Sequence, residues 1–437
     1  MNGSWRWCVR SLRKNGEDGI DINYKNTKND KIYNTEVDKA MKHIAIIGYG
    51  VVGGGITAFL EQNGAEVEKT VGEPVSVKYI VDLRTFPDSP YRDRMVQTLD
   101  PVLSDPDVTL VCETMGGAHP AYEYTMAAFA AGKSVVTSNK EVVATFGDAL
   151  LAKAKKCGVY YAFEASVGGG IPEIRSLLTS LAAERITGIS GIVNGTTNYV
   201  LTRMKNEGKS YDEIIEDAKK LGYAEADPAA DVDGLDGMRK ILILTALATG
   251  VLYQTENVRT ETMRTVTARD ISDAQAVGAA VKYIAQMNLT PSGAALSVCP
   301  RFVPETDILA HIHDVYNGIR VTTTALGDIL YYGRGAGRLP TAAAVMADVC
   351  GILSGAMAKE KIPAFARAEA AALAADTIPV RRYVRFDGDK YDALVHFAAA
   401  ERVPGTTDAY VTEPVTEEAW REITKTLGEP TAAYRFL

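Results

Sequence analysis

Short apolar runs alternate with amphipathic segments from residue 42 to about residue 172. Five of these runs have the length of buried strands, at residues 43–47, 75–81, 108–112, 134–137 and 160–163. Helical patterns stand between them, at residues 53–62, 121–131 and 148–155. Strands that alternate with helices in this way predict a parallel sheet with helices on both faces, and so an α/β fold.

The middle of the chain, from about residue 174 to residue 336, has a mixed pattern. Helices are predicted at residues 174–182, 211–221 and 235–249, and strands at 184–193 and 294–303. A separate α+β domain fits this mixture. A glycine-rich loop and a small-residue helix follow at 331–355, and we expect an alanine-rich helix at 364–375 to extend them.

The two ends of the chain differ from the rest. Residues 379–437 alternate strand-like and helix-like stretches, which predicts a small α+β module. Residues 1–40 are largely polar and have no helical or strand period, which predicts a poorly ordered extension. Met41 opens the stretch MKHIAIIGYG like the start of a domain, so a start codon placed too far upstream is the alternative.

Composition narrows the function classes. The chain has 437 residues, 46% of them hydrophobic, with a net charge of -8. An acidic protein is a poor partner for nucleic acid or an anionic membrane, although a local site can still bind a phosphorylated cofactor. The five cysteines are scattered without a CxxC pair, and no apolar run is long enough to span a bilayer. We expect a cytoplasmic protein.

A glycine-rich loop follows the first predicted strand. Gly48, Gly50 and Gly53 form a G-x-G-x-x-G motif that opens a predicted helix. The first glycine permits the tight turn, the second lets the backbone approach a pyrophosphate, and the third packs helix against strand. We assign this loop, with Val51 and Val52, to a dinucleotide. A plain turn is the alternative.

The second strand ends in the sequence YIVDLR, where the ribose of the dinucleotide is read. Asp82 favours the free hydroxyl of NAD, whereas Arg84 favours the phosphate of NADP. The choice between NAD and NADP therefore stays open. The spacing from Gly53 is longer than usual and predicts a long first crossover. Solvated charges at a strand end are the alternative interpretation.

Carboxylates are concentrated between Ala218 and Lys240. They are Glu225, Asp227, Asp231, Asp233 and Asp236. Asp236 and Lys240 are four residues apart on a predicted helix, so they share one face at the start of an apolar, buried segment. This position favours a functional role for the pair. For Asp227 and Asp233, an exposed acidic loop is the better interpretation.

The same stretch resembles the homoserine dehydrogenase signature at every specified position. These positions are Ala218, Gly222, Tyr223, Ala224, Asp227, Pro228, Asp231, Val232, Gly234, Asp236 and Lys240. Residues 191–204 and 132–144 also resemble segments of this family, and the likeness covers residues 41 to about 355. It implies a Rossmann-type cofactor domain (41–173, completed by about 337–375), a substrate and dimerisation domain (174–336) and an ACT-like module (379–437).

The resemblance implies reversible NAD(P)H-dependent reduction of aspartate semialdehyde to homoserine, in the threonine and methionine branch of amino-acid biosynthesis. Lys240 would donate the proton, or hold a water that does, and Lys140 would polarise the carbonyl oxygen. Two ammonium groups in one pocket are expected to lower each other's pKa. The implied substrate ligands are Glu225, Asp236, Asp231, Thr196 and Tyr223.

Further site residues come from the same resemblance. Gly116, Lys140 and Gly335 are implied contacts of the cofactor. The sequence FEASVGGGIP resembles a monovalent cation loop, in which sodium would be held largely through backbone carbonyls. The implied ligands are Glu164, Val167, Gly169 and Ile171. The family also implies a homodimer or homotetramer formed through the middle domain.

Two other functions compete with this interpretation. An aldehyde-oxidising dehydrogenase would need a nucleophilic cysteine, but no motif surrounds Cys112 or Cys157. A catalytically inactive dinucleotide- or amino-acid-sensing homologue would predict a broken set of lysines and acids, and the set is complete.

The final module lacks an RPG-like turn after its first strand, which argues against threonine feedback.

Overall fold

A computed structural model describes residues 41–220, 228–359, 363–369 and 378–437. Its first part forms a six-stranded parallel sheet in the order β3-β2-β1-β4-β5-β6. The elements are β1 (Lys42–Ile47), α1 (Val51–Val71), β2 (Val75–Val81), β3 (Met95–Val96), α2 (Asp100–Ser104), β4 (Val108–Glu113), α3 (Ala121–Ala130), β5 (Ser134–Thr137), α4 (Lys140–Cys157) and β6 (Tyr161–Ala162). The length of α1 confirms the predicted long crossover.

The second part is a mixed unit built around long antiparallel strands. Its elements are α5 (Ile174–Leu178), β7 (Ile186–Ile192), α6 (Gly195–Glu207), α7 (Tyr211–Lys220), α8 (Ala229–Val232), α9 (Leu235–Thr249), β8 (Val251–Leu252), β9 (Arg259–Thr260), α10 (Ala268–Ala276), β10 (Ala279–Thr290), β11 (Gly293–Pro304), β12 (Tyr316–Thr323), β13 (Gly327–Arg334), α11 (Arg338–Leu353) and β14 (Ala366–Arg367). Short 3-10 turns occupy Arg92–Arg94, Glu164–Ser166, Thr255–Asn257, Met263–Thr265, Ile308–His311 and Ala356–Lys359.

The final part has the order β-α-β-β-α-β. Its elements are β15 (Arg382–Arg385), α12 (Tyr391–Leu394), β16 (Ala400–Arg402), β17 (Ala409–Thr412), α13 (Glu417–Leu427) and β18 (Ala432–Phe436). These strands continue the sheet of the second part, because β18 pairs in parallel with β11 at Arg301 and Phe302. The path β13-β12-β7-β10-β11-β18-β15-β17-β16, with β9 beside β11, makes one ten-stranded sheet. Likeness to an ACT domain stays a prediction.

The parallel sheet is covered on both faces, as the sequence predicted. Alternate residues of β1 point to opposite faces. Ile46 packs with Ile56 of α1 and Val345 of α11, whereas Ile47 packs on the other face with Phe129 of α3. The α11 helix therefore returns to the first sheet, as expected for the segment after residue 337. The α/β class is confirmed.

Several predicted elements are wrong in detail. The strands β10, β12 and β13 were not predicted, and β10 is buried on both faces over most of its length, which removes the alternating pattern of a half-buried strand. The predicted helix at 364–375 is absent from its described part, since Ala366 and Arg367 pair instead with β8. In the final module, the helix that begins at Tyr391 is short and ends at Leu394.

The described residues from 41 onward pack as one compact unit, so the proposed domain limits within them stay predictions. Residues 1–40 lie outside the described residues, and so does the predicted extension. Among the helices that the structure describes, none has the length and apolar character required to cross a bilayer.

Candidate functional site

The glycine-rich loop joins β1 to α1 with the geometry that a dinucleotide needs. Gly48 has φ of +88°, which favours glycine in this turn. A Cβ on Gly53 would lie 2.1 Å from the Gly48 carbonyl oxygen, so the third glycine permits close helix-strand packing. A Cβ on Gly50 would meet no atom within 4 Å. The second glycine therefore borders open space in which a pyrophosphate fits.

The backbone amides in the first turn of α1 can bind an anion. Gly50 is the N-cap residue and forms no side-chain cap, so the amides of the first turn have no side-chain acceptor from it. Val51 and Val52 line the adjoining cleft. Unsatisfied amides at a helix N-terminus attract phosphate oxygens. These observations agree with the predicted cofactor loop.

Asp82 and Arg84 form a bidentate pair at the end of β2. The Arg84 Nε lies 3.0 Å from Asp82 Oδ1, and Arg84 Nη2 lies 2.8 Å from Asp82 Oδ2. Asp82 also accepts a hydrogen bond from the Tyr49 amide at 2.7 Å. The Arg84 guanidinium lowers the pKa of Asp82 to about 2. Both candidate ribose-binding groups thus lie beside the glycine-rich loop.

The buried side chain of Glu113 connects the loop after β4 with the turn before α4. Glu113 ends β4 and is fully buried. It accepts hydrogen bonds from the Met115 amide at 2.7 Å and the Thr137 hydroxyl at 2.6 Å. Thr137 in turn accepts from the amide of Asn139, whose side chain caps α4. The loop that contains Gly116 is thereby tied to the turn that precedes Lys140.

A cleft of about 670 Å³ opens between the two sheets. It brings together many residues that the sequence singled out, namely Val51, Val52, Lys140, Gly169, Thr196, Asp231, Asp236, Lys240 and Gly335. Several other predicted site residues do not line the cleft. They are the motif glycines Gly48, Gly50 and Gly53, together with Asp82, Arg84 and Gly116. Glu225, Tyr223 and Asp227 lie outside the described residues.

Asp236 stands between the two lysines. Lys240 Nζ lies 2.7 Å from Asp236 Oδ2, one turn further along α9, and Lys140 Nζ lies 3.0 Å from Asp236 Oδ1. Lys240 also donates to the Val193 carbonyl oxygen at 2.6 Å. Asp236 and Lys240 are both buried. The i,i+4 relationship predicted from the sequence is therefore present at the cleft.

The carboxylate changes the electrostatics expected for two neighbouring ammonium groups. Asp236 raises the pKa of Lys140, although burial opposes this effect. The prediction of a lowered pKa is wrong for Lys140, because it neglected the negative charge between the lysines. Burial acts to raise the pKa of Asp236, but Lys240 and Lys140 together hold it well below its usual range. Lys140 is thus a stable cation.

Asn194 is a site residue that the sequence analysis missed. Its amide nitrogen donates to Asp231 Oδ1 and to Asp236 Oδ2, both at 2.8 Å. Its side-chain oxygen caps α6 by accepting from the Thr197 amide at 2.9 Å. An asparagine directly before a helix was the available signal, since such residues are preferred N-caps. The hydrogen bonds of Asn194 to Asp231 and Asp236 could not be predicted, because these residues are far away in the sequence.

The other members of the acidic stretch have separate roles. Asp231 lines the cleft, and no ion pair of Asp231 with another described residue is present. Asp233 instead pairs with Arg264 at 2.9 Å and accepts from Thr262 at 2.7 Å. Asp233 is partly exposed, which agrees with the ordinary ion pair expected for it. The missed cleft residues also include Ser138 and Arg334.

The predicted cation loop runs between the cleft and α5. Glu164 accepts hydrogen bonds from the amides of Ile174 and Arg175, at 2.8 and 2.7 Å, so its carboxylate holds the start of α5. Val167 and Ile171 are buried and do not line the cleft, unlike Gly169. The backbone carbonyl of Glu164 is the oxygen that could bind the predicted cation without disturbing these two hydrogen bonds.

Glu173 lies next to this loop and was not predicted. It is fully buried, and neither carboxylate oxygen has a hydrogen-bond partner among the described residues. Burial and neighbouring Glu164 raise the pKa of Glu173, whereas the Lys240 charge opposes them. An orphaned buried carboxyl beside a carbonyl-rich loop fits a bound cation.

None of the four described cysteines lines the cleft, so none of them is placed as a nucleophile for aldehyde oxidation. Cys112 lies in the core on β4, where burial raises the pKa of its thiol. Neither Cys112 nor Cys157 lines the cleft. The chemistry of an aldehyde-oxidising enzyme therefore has no support at this site.

Comparison with protein families gives two adjacent matches. The model of the NAD-binding domain of homoserine dehydrogenase matches residues 48–164. The homoserine dehydrogenase model itself matches residues 172–350. Together these segments hold the glycine-rich loop and the lysine-carboxylate cluster.

Individual proteins resemble the chain in the same way. Homoserine dehydrogenase of Synechocystis is 41% identical over 74% of this chain and 75% of its own length, and that of Pseudomonas aeruginosa is 38% identical over 71% and 72%. A homoserine dehydrogenase structure from Thiobacillus denitrificans has a TM-score of 0.84 at 30% identity, covering 91% of this chain and 99% of its own. A hyperthermophilic archaeal homoserine dehydrogenase mutant in complex with NADPH has a TM-score of 0.61 at 27% identity, covering 71% and 97%.

Proposed function

Because this chain belongs to the homoserine dehydrogenase family, we propose that its cleft interconverts L-aspartate 4-semialdehyde and L-homoserine. The protein is an NAD(P)-dependent oxidoreductase of amino-acid biosynthesis, and its small-molecule substrate belongs in our proposal to the threonine and methionine branch. The observation that carries the proposal is the cluster of Lys140, Asp236 and Lys240 on the wall of the cleft.

Bound NAD(P)H supplies the hydride that reduces the aldehyde carbon. The chain's own part is to hold the carbonyl and to supply a proton to its oxygen. Lys240 has three N–H donors, of which two are engaged by Asp236 and Val193. The third is available to the substrate oxygen, so Lys240 is assigned as proton donor. In the oxidative direction the same nitrogen takes the proton back.

Lys140 has a different role because Asp236 favours its charged form. A permanent cation stabilises negative charge that develops on the carbonyl oxygen during reduction. Lys140 begins α4, directly after the capped turn at Asn139. The Asn139 side chain donates to the Gly117 carbonyl at 2.7 Å, which supports a position of Lys140 near the nicotinamide. It orients and polarises the carbonyl, while Lys240 transfers the proton.

The substrate ammonium group needs a carboxylate that the lysines leave unoccupied. Asp236 was expected to serve, but both of its oxygens already bind lysines. Asp231 is the better candidate, because it faces the cleft and its charge is not neutralised by an ion pair among the described residues. Thr196 also borders the cleft. Glu225 and Tyr223 stay in the proposed set as residues of the signature.

A monovalent cation such as sodium is part of the proposal. The loop from Glu164 to Ile171, with Val167 and Gly169, would hold it through carbonyl oxygens. One face of this loop borders the cleft at Gly169. The cation would therefore stabilise the wall of the site without taking part in proton transfer.

We also propose that two or four copies assemble through the second sheet. Its edge strand β13 exposes Tyr332, and Leu326 in the preceding turn is exposed as well. An unpaired edge with exposed apolar side chains is a ready surface for a second copy. A reducing cytoplasm fits the four described cysteines, which are all free thiols.

The decisive experiment compares wild type with Lys240→Ala in homoserine-dependent reduction of NAD and of NADP. We expect turnover with at least one cofactor, and a loss of about a thousandfold in the variant, within the range of general acid-base catalysis. Dinucleotide binding, followed by fluorescence, should persist. Exposed Lys69→Ala is the control.

Two outcomes would contradict the proposal. A folded wild type that binds dinucleotide but shows no turnover with either cofactor would favour the sensing homologue. A Lys240→Ala variant with normal turnover would remove Lys240 from the chemistry while leaving the reaction in place.

A further inference from the structure

Glu173 is a charged residue type in a position where charge is costly. It precedes α5 and is fully buried. Both carboxylate oxygens lack a hydrogen-bond partner among the described residues. Buried polar groups are nearly always paired, because an unpaired one loses its hydration without compensation. A group of this kind calls for a bound water or ion, or for a functional reason.

The Glu173 carboxylate lies against the loop of residues 164–171. A Cβ built on Gly168 would lie 2.8 Å from Glu173 Oε1, and Gly168 has φ of +66°. The Glu173 amide donates to the Ile171 carbonyl at 2.9 Å, and the Ile171 amide donates to the Gly168 carbonyl at 3.0 Å. The side chain and the backbone of residues 168–173 therefore surround one small region.

Neighbouring charges do not supply a direct partner. The positive charge of Lys240 acts on Glu173, but the Lys240 ammonium group donates to Asp236 and Val193. Glu164 repels Glu173, and its own oxygens accept from backbone amides. The ionised form of the Glu173 carboxyl group therefore has no direct partner among the described residues.

We propose that the Glu173 carboxylate binds the monovalent cation of the 164–171 loop and supplies its charged ligand. Oxygen ligands of a carboxylate and of peptide carbonyls are those that hard cations prefer. A single uncompensated carboxylate balances one positive charge, which favours a monovalent over a divalent ion. The inference rests on the cation site of the proposed function, and it adds a side chain to what was a set of carbonyls.

This assignment gives the ion a structural effect on the active site. A Cβ on Gly169 would lie 2.4 Å from the Gly335 carbonyl oxygen, so the loop packs directly on the segment before α11. The Gly170 amide donates to the Arg334 carbonyl at 3.1 Å. Gly169 and Gly335 both line the cleft. An ion held by Glu173 would therefore fix two walls of the cleft together.

The test follows the thermal stability of the full-length protein in NaCl, KCl and choline chloride at one ionic strength. We expect the melting temperature of wild type to rise with sodium or potassium over choline, because an ion that binds the folded state stabilises it. In Glu173→Gln, the ion concentration at half-maximal shift should rise at least about tenfold. Glu113→Gln is the matched control, since Glu113 is equally buried but has hydrogen-bond partners.

Line broadening of the sodium-23 NMR signal gives a second readout that does not depend on a variant. Wild type should broaden the signal, and potassium should compete. Glu173→Asp, which keeps the charge, should retain part of the effect if Glu173→Gln fails to fold. An unchanged half-point in Glu173→Gln, or no ion-specific response in wild type, would overturn the proposal. Turnover is measured in parallel, since ion binding without turnover would refute the proposed function alone.

Discussion

Lys140 Nζ lies 3.0 Å from Asp236 Oδ1, and this contact joins the start of α4 to the first turn of α9. Helix α4 packs on the parallel sheet and α9 packs on the ten-stranded sheet. The ion pair therefore spans the cleft between the two sheets. Asp236 is buried, whereas Lys140 is more exposed. The carboxylate is therefore the fixed member, and it positions the lysine.

Replacing this carboxylate should impair chemistry more than binding. In Asp236→Asn the shape is kept, but Lys140 and Lys240 lose the charge between them. We expect kcat for homoserine oxidation to fall about a hundredfold, within the range of acid-base effects, with dinucleotide affinity little changed. Steady-state kinetics and fluorescence titration measure the two quantities.

Asp233→Asn provides the matched control for this prediction. Asp233 lies three residues earlier and pairs with Arg264 on the surface, so its loss should leave kcat unchanged. Equal losses in the two variants would show that the segment tolerates no substitution. They would contradict the specific role of Asp236.

Substitutions at two glycines of the loop should have different effects. Gly50→Ala should weaken dinucleotide binding, whereas Gly53→Ala should destabilise the fold. Gly50→Ala adds a methyl group in open space, so its melting temperature should stay near that of wild type while dinucleotide affinity falls at least about tenfold. Gly53→Ala places a methyl group 2.1 Å from the Gly48 carbonyl oxygen. It should destabilise the fold by about 1–3 kcal/mol, as overpacking does.

Calorimetry of the folded variants and fluorescence titration of NADPH check this pair. If Gly50→Ala binds the cofactor as tightly as wild type, the pyrophosphate does not approach this residue. That result would move the phosphate site away from the N-terminus of α1.

The choice between NAD and NADP can be shifted at Arg84. In Arg84→Ala the exposed guanidinium beside Asp82 is removed, and with it the group suited to a ribose phosphate. We expect the ratio of kcat/KM with NADP to kcat/KM with NAD to fall about tenfold or more, whichever cofactor wild type prefers. Arg92→Ala, on an exposed turn, is the control. A constant ratio would exclude Arg84 from the ribose site.

Because of Glu113, the free energy of unfolding should decrease as the pH rises. This is the opposite of the usual effect of a carboxyl group. Burial raises its pKa to about 7, from an ordinary value of 4.5. Below about pH 4.5 both folded and unfolded states carry the proton, and its contribution to stability is fully present. Between about pH 4.5 and 7 the unfolded state releases the proton first, so this contribution is lost as pH rises.

Urea unfolding of wild type and Glu113→Gln tests this dependence. The free energy of unfolding of wild type relative to the variant should decrease by up to about 3 kcal/mol between pH 4.5 and 7.5. Exposed Glu66→Gln should give a difference that does not change with pH. A flat difference for Glu113→Gln as well would mean that Glu113 is ionised throughout.

Local features of the site were predictable from the sequence because they depend on neighbouring residues. The turn at Gly48, the close packing at Gly53 and the shared face of Asp236 and Lys240 each follow from short spacings. The raised pKa of Lys140 did not follow, because it requires the position of Asp236 across the cleft. Long-range electrostatics has no local signature.

The same distinction explains the fold. The strands of the parallel sheet were recognised as short apolar runs, whereas β10 was missed because Lys282, Gln286 and Asn288 interrupt its apolar residues. The pairing of β18 with β11 joins Phe302 to Phe436, residues far apart in the chain. Likewise, Glu173 reads as an ordinary polar residue before a helix, and its burial is visible only in the structure.

The placement of β18 also has a consequence for how the protein is made. β18 lies inside the ten-stranded sheet, between β11 and β15, and not at its edge. During translation the ribosome releases β11 long before Ala432–Phe436 emerges, so one side of β11 must wait with unpaired backbone groups and an uncovered Phe302. The nascent chain therefore cannot complete this sheet until β18 has followed β11 out of the ribosome. A stalled or truncated product would expose an unpaired strand edge, with which other chains could pair and aggregate.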